Sequence, residues 1–130
     1  LSENNLQKIL HIDDEADIRQ VARLALETVG GFTVESCASG AEALERVKEF
    51  DPDLILLDVM MPGLDGPATF RALRELPDLG EVPVIFVTAK AMPSELERFR
   101  DMGAAGVIAK PFDPMTLPDQ LREIWDEKSG

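Results

Sequence analysis

Two rhythms of apolar and polar positions take turns along this chain. Lys8-Ile9-Leu10-His11-Ile12 reads as a short buried strand, closed by Asp13-Asp14. From Glu15 to Val29 the apolar residues Ile18, Val21, Ala22, Ala25 and Val29 fall at helical spacing, and Gly30-Gly31 stops the run. Phe32 to Cys37 alternates as a strand does. Ser39 is the expected N-cap of a second helix. Glu42 lies three residues on as its capping-box partner, and Ala41, Leu44 and Val47 share the inner face.

Asp53 to Asp58 predicts a third strand. Asp65 predicts the N-cap of a third helix, with Pro67 in the first turn, where a missing N–H is harmless. Phe70, Leu73 and Leu76 form its apolar face, and Pro77 ends it. Val82 to Thr88, rich in β-branched residues, predicts strand four; Ser94 to Met102 predicts helix four, stopped by Gly103. Gly106 to Ala109 predicts strand five, and Asp113-Pro114 opens a last helix with Leu117, Leu121, Ile124 and Trp125 inside. The strands are nearly continuous apolar runs, which is the pattern of a parallel sheet covered on both faces. The expected fold is one doubly wound α/β domain over residues 1–130, with its core at about 8–128.

Composition narrows the function classes. At 130 residues, 45% hydrophobic and 29% charged, the chain reads as globular. No apolar run approaches a membrane span, and nothing resembles a signal peptide. The net charge of −12 argues against direct DNA or RNA binding by this segment. Cys37 is the only cysteine, which rules out an internal disulfide and fits a reducing cytoplasm, with Cys37 itself a small buried strand residue. The first residue is Leu1, which fits a processed start or a piece of a longer protein.

The polar residues then acquire a pattern. Strand one ends in Asp13 and Asp14, strand three in Asp58, strand four in Thr88, and strand five in Lys110. Parallel strands put these carboxyl ends on one edge of the sheet, where open α/β sheets bind ligands. Taken alone, Asp58 is either a strand end or a reactive carboxylate. Three carboxylates in one cleft repel each other unless a cation joins them, and hard oxygen ligands suit Mg²⁺. One carboxylate is also able to act as a nucleophile toward phosphorus. Lys110 offers a positive charge for a phosphoryl oxygen, and Thr88 a hydroxyl donor.

The stretches HIDDE, LLDVMMPGLDG, VIFVTAKA and GAAGVIAKPF, in that order, resemble the receiver domain of two-component response regulators from about Lys8 to Lys128. The resemblance implies a sheet of order 2-1-3-4-5 with five helices. It implies that Asp58 accepts a phosphoryl group from a phosphohistidine of a sensor histidine kinase or histidine phosphotransfer protein. Asp14, Asp58 and the main-chain carbonyl of Met60 are then direct Mg²⁺ ligands, Asp13 acts through water, and Thr88 and Lys110 contact phosphoryl oxygens. It also implies a cis peptide at Lys110–Pro111, an effector domain or partner protein as output, and homodimerisation as an option.

Three positions depart from the family pattern. Val107 stands where receivers often carry a ring that swings inward, so the expected signal route is a loop shift around residues 88–93 or a different face. Met60 and Lys90 hold positions that modulate phosphoryl lifetime; Met60 has no side chain to orient water, and Lys90 adds a mobile charge.

The same residues bear on three other functions. A Mg²⁺-dependent phosphatase usually has a second acid two residues after its nucleophile, where this chain has Met60. A nucleotide binder needs Gly, Ser or Thr after strand one, where this chain has Asp13-Asp14-Glu15. A scaffold without phosphate acceptance leaves the full acid–Thr–Lys set unexplained. The chain is therefore expected to be a switch and not an enzyme. His11 is expected as a packed or hydrogen-bonded core residue, Asp14 as a cap of helix one that also serves the metal, Met60-Met61 as turn packing, and Trp125 as core.

Overall fold

The computed structural model describes residues 5–129, so residues 1–4 and 130 of the expected domain lie outside the described residues. Five strands form one sheet: β1 (Lys8–Ile12), β2 (Thr33–Cys37), β3 (Leu54–Asp58), β4 (Val84–Thr88) and β5 (Gly106–Ala109). Their order is β2-β1-β3-β4-β5, and every neighbouring pair is parallel. The helices are α1 (Ala16–Leu24), α2 (Gly40–Phe50), α3 (Gly66–Glu75), α4 (Pro93–Met102) and α5 (Leu117–Ser129).

Strand alternation sends successive side chains to opposite faces, and each face has its own core. Leu10, Ile12, Ile55, Leu57 and Phe86 pack on one face with Ala43 and Val47 of α2, Phe70 and Leu73 of α3, and Phe99 of α4. Ile9, Leu54, Leu56, Ile85 and Val87 pack on the other with Ala22 of α1 and Leu117 and Leu121 of α5. Trp125 borders this second core, half-buried.

The caps follow the sequence. Ser39 Oγ accepts the Glu42 N–H at 3.1 Å, and Asp65 Oδ1 accepts the Ala68 N–H at 2.9 Å. Glu42 reaches back to the Ala38 N–H at 2.6 Å, one residue before the N-cap, so the box is closed one position early. Ser39→Ala is expected to cost about 1 kcal/mol in urea unfolding. No change in midpoint would show that Glu42 alone secures this helix start. Gly103 ends α4 at φ 102°, a conformation that suits a residue without Cβ.

Several boundaries and faces differ from expectation. β2 begins at Thr33, β4 at Val84 and α4 at Pro93. α5 starts at Leu117, because Asp113 first makes a turn in which its carboxylate accepts the Met115 N–H at 2.9 Å. Val21 and Val29 are exposed, and Leu26 is buried in their place. Leu26 stands four residues after buried Ala22 and shares its inward face, to which Val21 does not belong; Val29 lies in a π-helical turn over Ala25–Val29, which carries one residue more per hydrogen-bonded ring and takes it off the α-helical stripe. On α2, Ala41 is exposed and Ala43 is buried. Among the described residues, no helix is long and apolar enough to cross a membrane.

Candidate acidic phosphoryl and metal site

The carboxyl ends of β1, β3 and β5 bring four predicted residues together. Asp13 and Asp58 are buried, Asp14 is exposed, and oxygens of all three lie within 4.8 Å of one another. Lys110 Nζ sits 3.0 Å from Asp13 Oδ2 and 3.0 Å from Asp58 Oδ1. Strand alternation explains the grouping. Asp13, Asp58 and Lys110 continue the rows of Ile9, Leu56 and Ile108, all on the α1–α5 face.

Burial pushes the Asp58 carboxyl up to about 6; the Lys110 hydrogen bond opposes this, and the charges of Asp13 and Asp14 add to it. For Lys110, burial works to lower the pKa, but hydrogen bonds to Asp58 and Asp13 outweigh it and hold the ammonium protonated. Asp58 Oδ2 is buried and has no hydrogen-bond partner among the described residues. An unsatisfied carboxylate oxygen in an acidic cluster of hard donors fits a divalent cation such as Mg²⁺.

The loops hold this arrangement from behind. Asp13 Oδ1 accepts the Glu15 N–H at 2.9 Å, and the Asp13 carbonyl accepts from Arg19 at 2.8 Å. Glu15, and not Asp14, is the N-cap residue of α1, and its side chain makes no capping hydrogen bond. Gly66, the first residue of α3, packs so tightly on β3 that a Cβ there would lie 2.5 Å from the Asp58 carbonyl oxygen. The helix start thus braces the main chain of Asp58, and only glycine fits.

Thr88 behaves differently. It is buried, and its hydroxyl accepts the Lys90 N–H at 3.0 Å and faces the Lys90 carbonyl at 3.5 Å. It continues the row of Val84 and Phe86, on the face opposite the Asp13–Asp58–Lys110 row. The Lys90 side chain is exposed. Met61 is buried, as turn packing requires, but Met60 is 74% exposed and packs little. Val107 lies away from the acids, pairs with Phe86 in the sheet, and lines a cavity of about 530 Å³ with Leu96, Arg100 and Ile124.

His11 is packed and not hydrogen-bonded: neither ring nitrogen has a partner among the described residues. Burial lowers its pKa to about 4, which keeps the ring neutral at pH 7. Burial likewise pushes the Cys37 thiol up to about 12, which makes it inert. The Lys110–Pro111 peptide is cis. Glu15 is the residue that sequence reasoning missed: its Oε1 lies 3.5 Å from Lys110 Nζ. Its place directly after Asp13-Asp14 was the available signal.

The family model for the response regulator receiver domain matches residues 9–122. The chain belongs to that family. Among curated relatives, this receiver domain is 41% identical over 118 residues to a probable transcriptional regulator, ycf27, of Porphyridium aerugineum, covering 91% of the chain and 48% of that relative. It is 37% identical over 116 residues to the transcriptional regulatory protein CseB of Streptomyces coelicolor, covering 89% of the chain and 48% of that protein. The chain thus spans about half the length of these relatives. Among solved structures, the chemotaxis response regulator CheY4 of Vibrio cholerae superposes with TM-score 0.85 at 32% identity, over 92% of this chain and 99% of that one. A signal receiver domain of a histidine kinase from Syntrophus aciditrophicus gives 0.79 at 31% identity, over 93% and 91%. The sheet order 2-1-3-4-5 with five helices is that of these neighbours.

Proposed function

We propose that this receiver domain accepts a phosphoryl group on Asp58 from a phosphohistidine of a sensor histidine kinase or histidine phosphotransfer protein. The observation that carries the reading is Asp58 itself: one oxygen is paired with Lys110 and the other is buried without a partner. An Asp58 oxygen–phosphorus bond forms as the phosphorus–nitrogen bond breaks, and the electron pair leaves with the imidazole, which takes up a proton. Asp14, Asp58 and the Met60 carbonyl would hold Mg²⁺, with Asp13 behind; the ion supplies charge neutralisation on the phosphoryl oxygens. Lys110 donates to one phosphoryl oxygen. The Thr88 hydroxyl contact to Lys90 at 3.5 Å is at the limit of a hydrogen bond, so its proton is free to turn to another.

The domain works as a switch and not as a turnover enzyme. Met60, two residues after the acceptor, has no proton to give a leaving group. Its exposed thioether and the mobile charge of Lys90 tune the phosphoryl lifetime. Phosphorylation shifts a two-state equilibrium of the loop 88–93, without a ring at Val107, and so controls an effector domain or partner protein. The transcriptional-regulator names of the longer relatives support an output of that class; a cytoplasmic setting and a homodimer as one assembled form complete the proposal. The charge of −12 keeps nucleic acid off this domain.

Intact mass after incubation with acetyl phosphate tests the reading. One phosphoryl group is expected in the parent with Mg²⁺, and none after Mg²⁺ removal or in Asp58→Asn. Equal labelling of Asp58→Asn and parent would refute it.

A further inference from the structure

Lys110 stands against carboxylates that a cation would also use. Its ammonium bridges Asp13 Oδ2 and Asp58 Oδ1, each at 3.0 Å, and both acids belong to the three-carboxylate cluster. An ammonium and a divalent ion therefore draw on the same carboxylates. Once an ion neutralises those carboxylates, it repels the ammonium and weakens its two short contacts. It needs another anion within reach.

Glu15 is that anion. Its Oε1 already lies 3.5 Å from Lys110 Nζ. It stands outside the cluster, and its side chain is 61% exposed, so it is able to follow the ammonium outward without desolvation. Its own main chain stays fixed, because the Glu15 N–H is bonded to Asp13 Oδ1. We propose that Glu15 is a positioning residue: it receives the Lys110 ammonium when a divalent cation enters among Asp13, Asp14 and Asp58, and so sets how tightly the cation is held. The inference rests on the reading of these acids as a cation site. It does not depend on phosphoryl transfer.

A double-mutant cycle on Mg²⁺ binding, read by titration calorimetry, tests it. Glu15→Gln is expected to weaken Mg²⁺ about threefold, the size of a partly exposed ion pair. Lys110→Ala is expected to tighten it, because the competitor is gone. On the Lys110→Ala background, Glu15→Gln is expected to have no effect. An equal loss on both backgrounds would make Glu15 a bystander charge and overturn the proposal. A parent that binds no Mg²⁺ would overturn the cation site as well, while the mass experiment above reports on phosphoryl transfer separately. The second readout is the Lys110 ammonium signal in nitrogen-15 NMR. On Mg²⁺ addition it is expected to persist in the parent and to be lost to solvent exchange in Glu15→Gln; loss in both would also count against the role.

Discussion

In metal-free protein, Asp58→Asn is expected to be more stable than the parent at pH 7, by about 2–3 kcal/mol, with the gain vanishing near pH 4. The sign follows from the raised carboxyl. Its ordinary value is 3.8, and burial moves it to about 6 in the folded chain. The native state therefore holds this proton more firmly than the unfolded state does. Below pH 4 the proton is present in both states and burial costs little. As pH rises through 6 the folded carboxylate must ionise in a buried setting, and stability falls. Asparagine keeps the shape and never ionises. Urea denaturation with chelator at several pH values between 4 and 7.5 checks this. Parent and variant curves that run parallel across the range would contradict it. Added Mg²⁺ is expected to stabilise the parent and leave the variant nearly unmoved.

The second large effect lies one layer below the site. Phe86 on β4 is fully buried between two helices. Its ring centroid is 5.6 Å from that of Phe70 on α3 and 4.6 Å from that of Phe99 on α4, both tilted. Phe86→Ala removes the shared member of both pairs and leaves a cavity that three packed layers cannot easily close. The expected cost is about 3–5 kcal/mol, against about 1.5 kcal/mol or less for Phe86→Leu. For a domain of ordinary marginal stability, the alanine variant is then largely unfolded under mild denaturant. Chemical denaturation of the two variants decides it: an equal loss in both would mean that volume at this position is not what holds the layer together.

Much of this was legible from residue order alone. The strands ended in Asp58, Thr88 and Lys110 where the apolar runs broke, and Ser39 and Asp65 marked helix starts by their chemistry. On α1 the burial of Leu26 was legible, four residues after Ala22; the exposure of Val29 was not, because a period of 3.6 residues assumes one helix type and Val29 lies in the π turn at Ala25–Val29. Glu15 was hidden for another reason. Its partner Lys110 lies 95 residues away, and only the closed sheet places β5 near enough to the β1 loop. The orientation of Thr88 was readable in principle from strand parity, but parity says nothing about which loop amide its hydroxyl will meet.

The sheet separates the two cores along its length, and the two sides meet only at its carboxyl edge. Asp13, Asp58 and Lys110 stand in register with the side covered by α1 and α5, whereas Thr88 and Val107 stand in register with the side covered by α2, α3 and α4. Core substitutions on opposite sides, away from that edge, are therefore expected to add in free energy. A lineage of such chains is thereby free to remodel the outer surface of one side for a new neighbour while the other keeps its inherited shape. Recognition is then free to diverge on an outer surface while the carboxyl edge, to which both sides contribute, is kept.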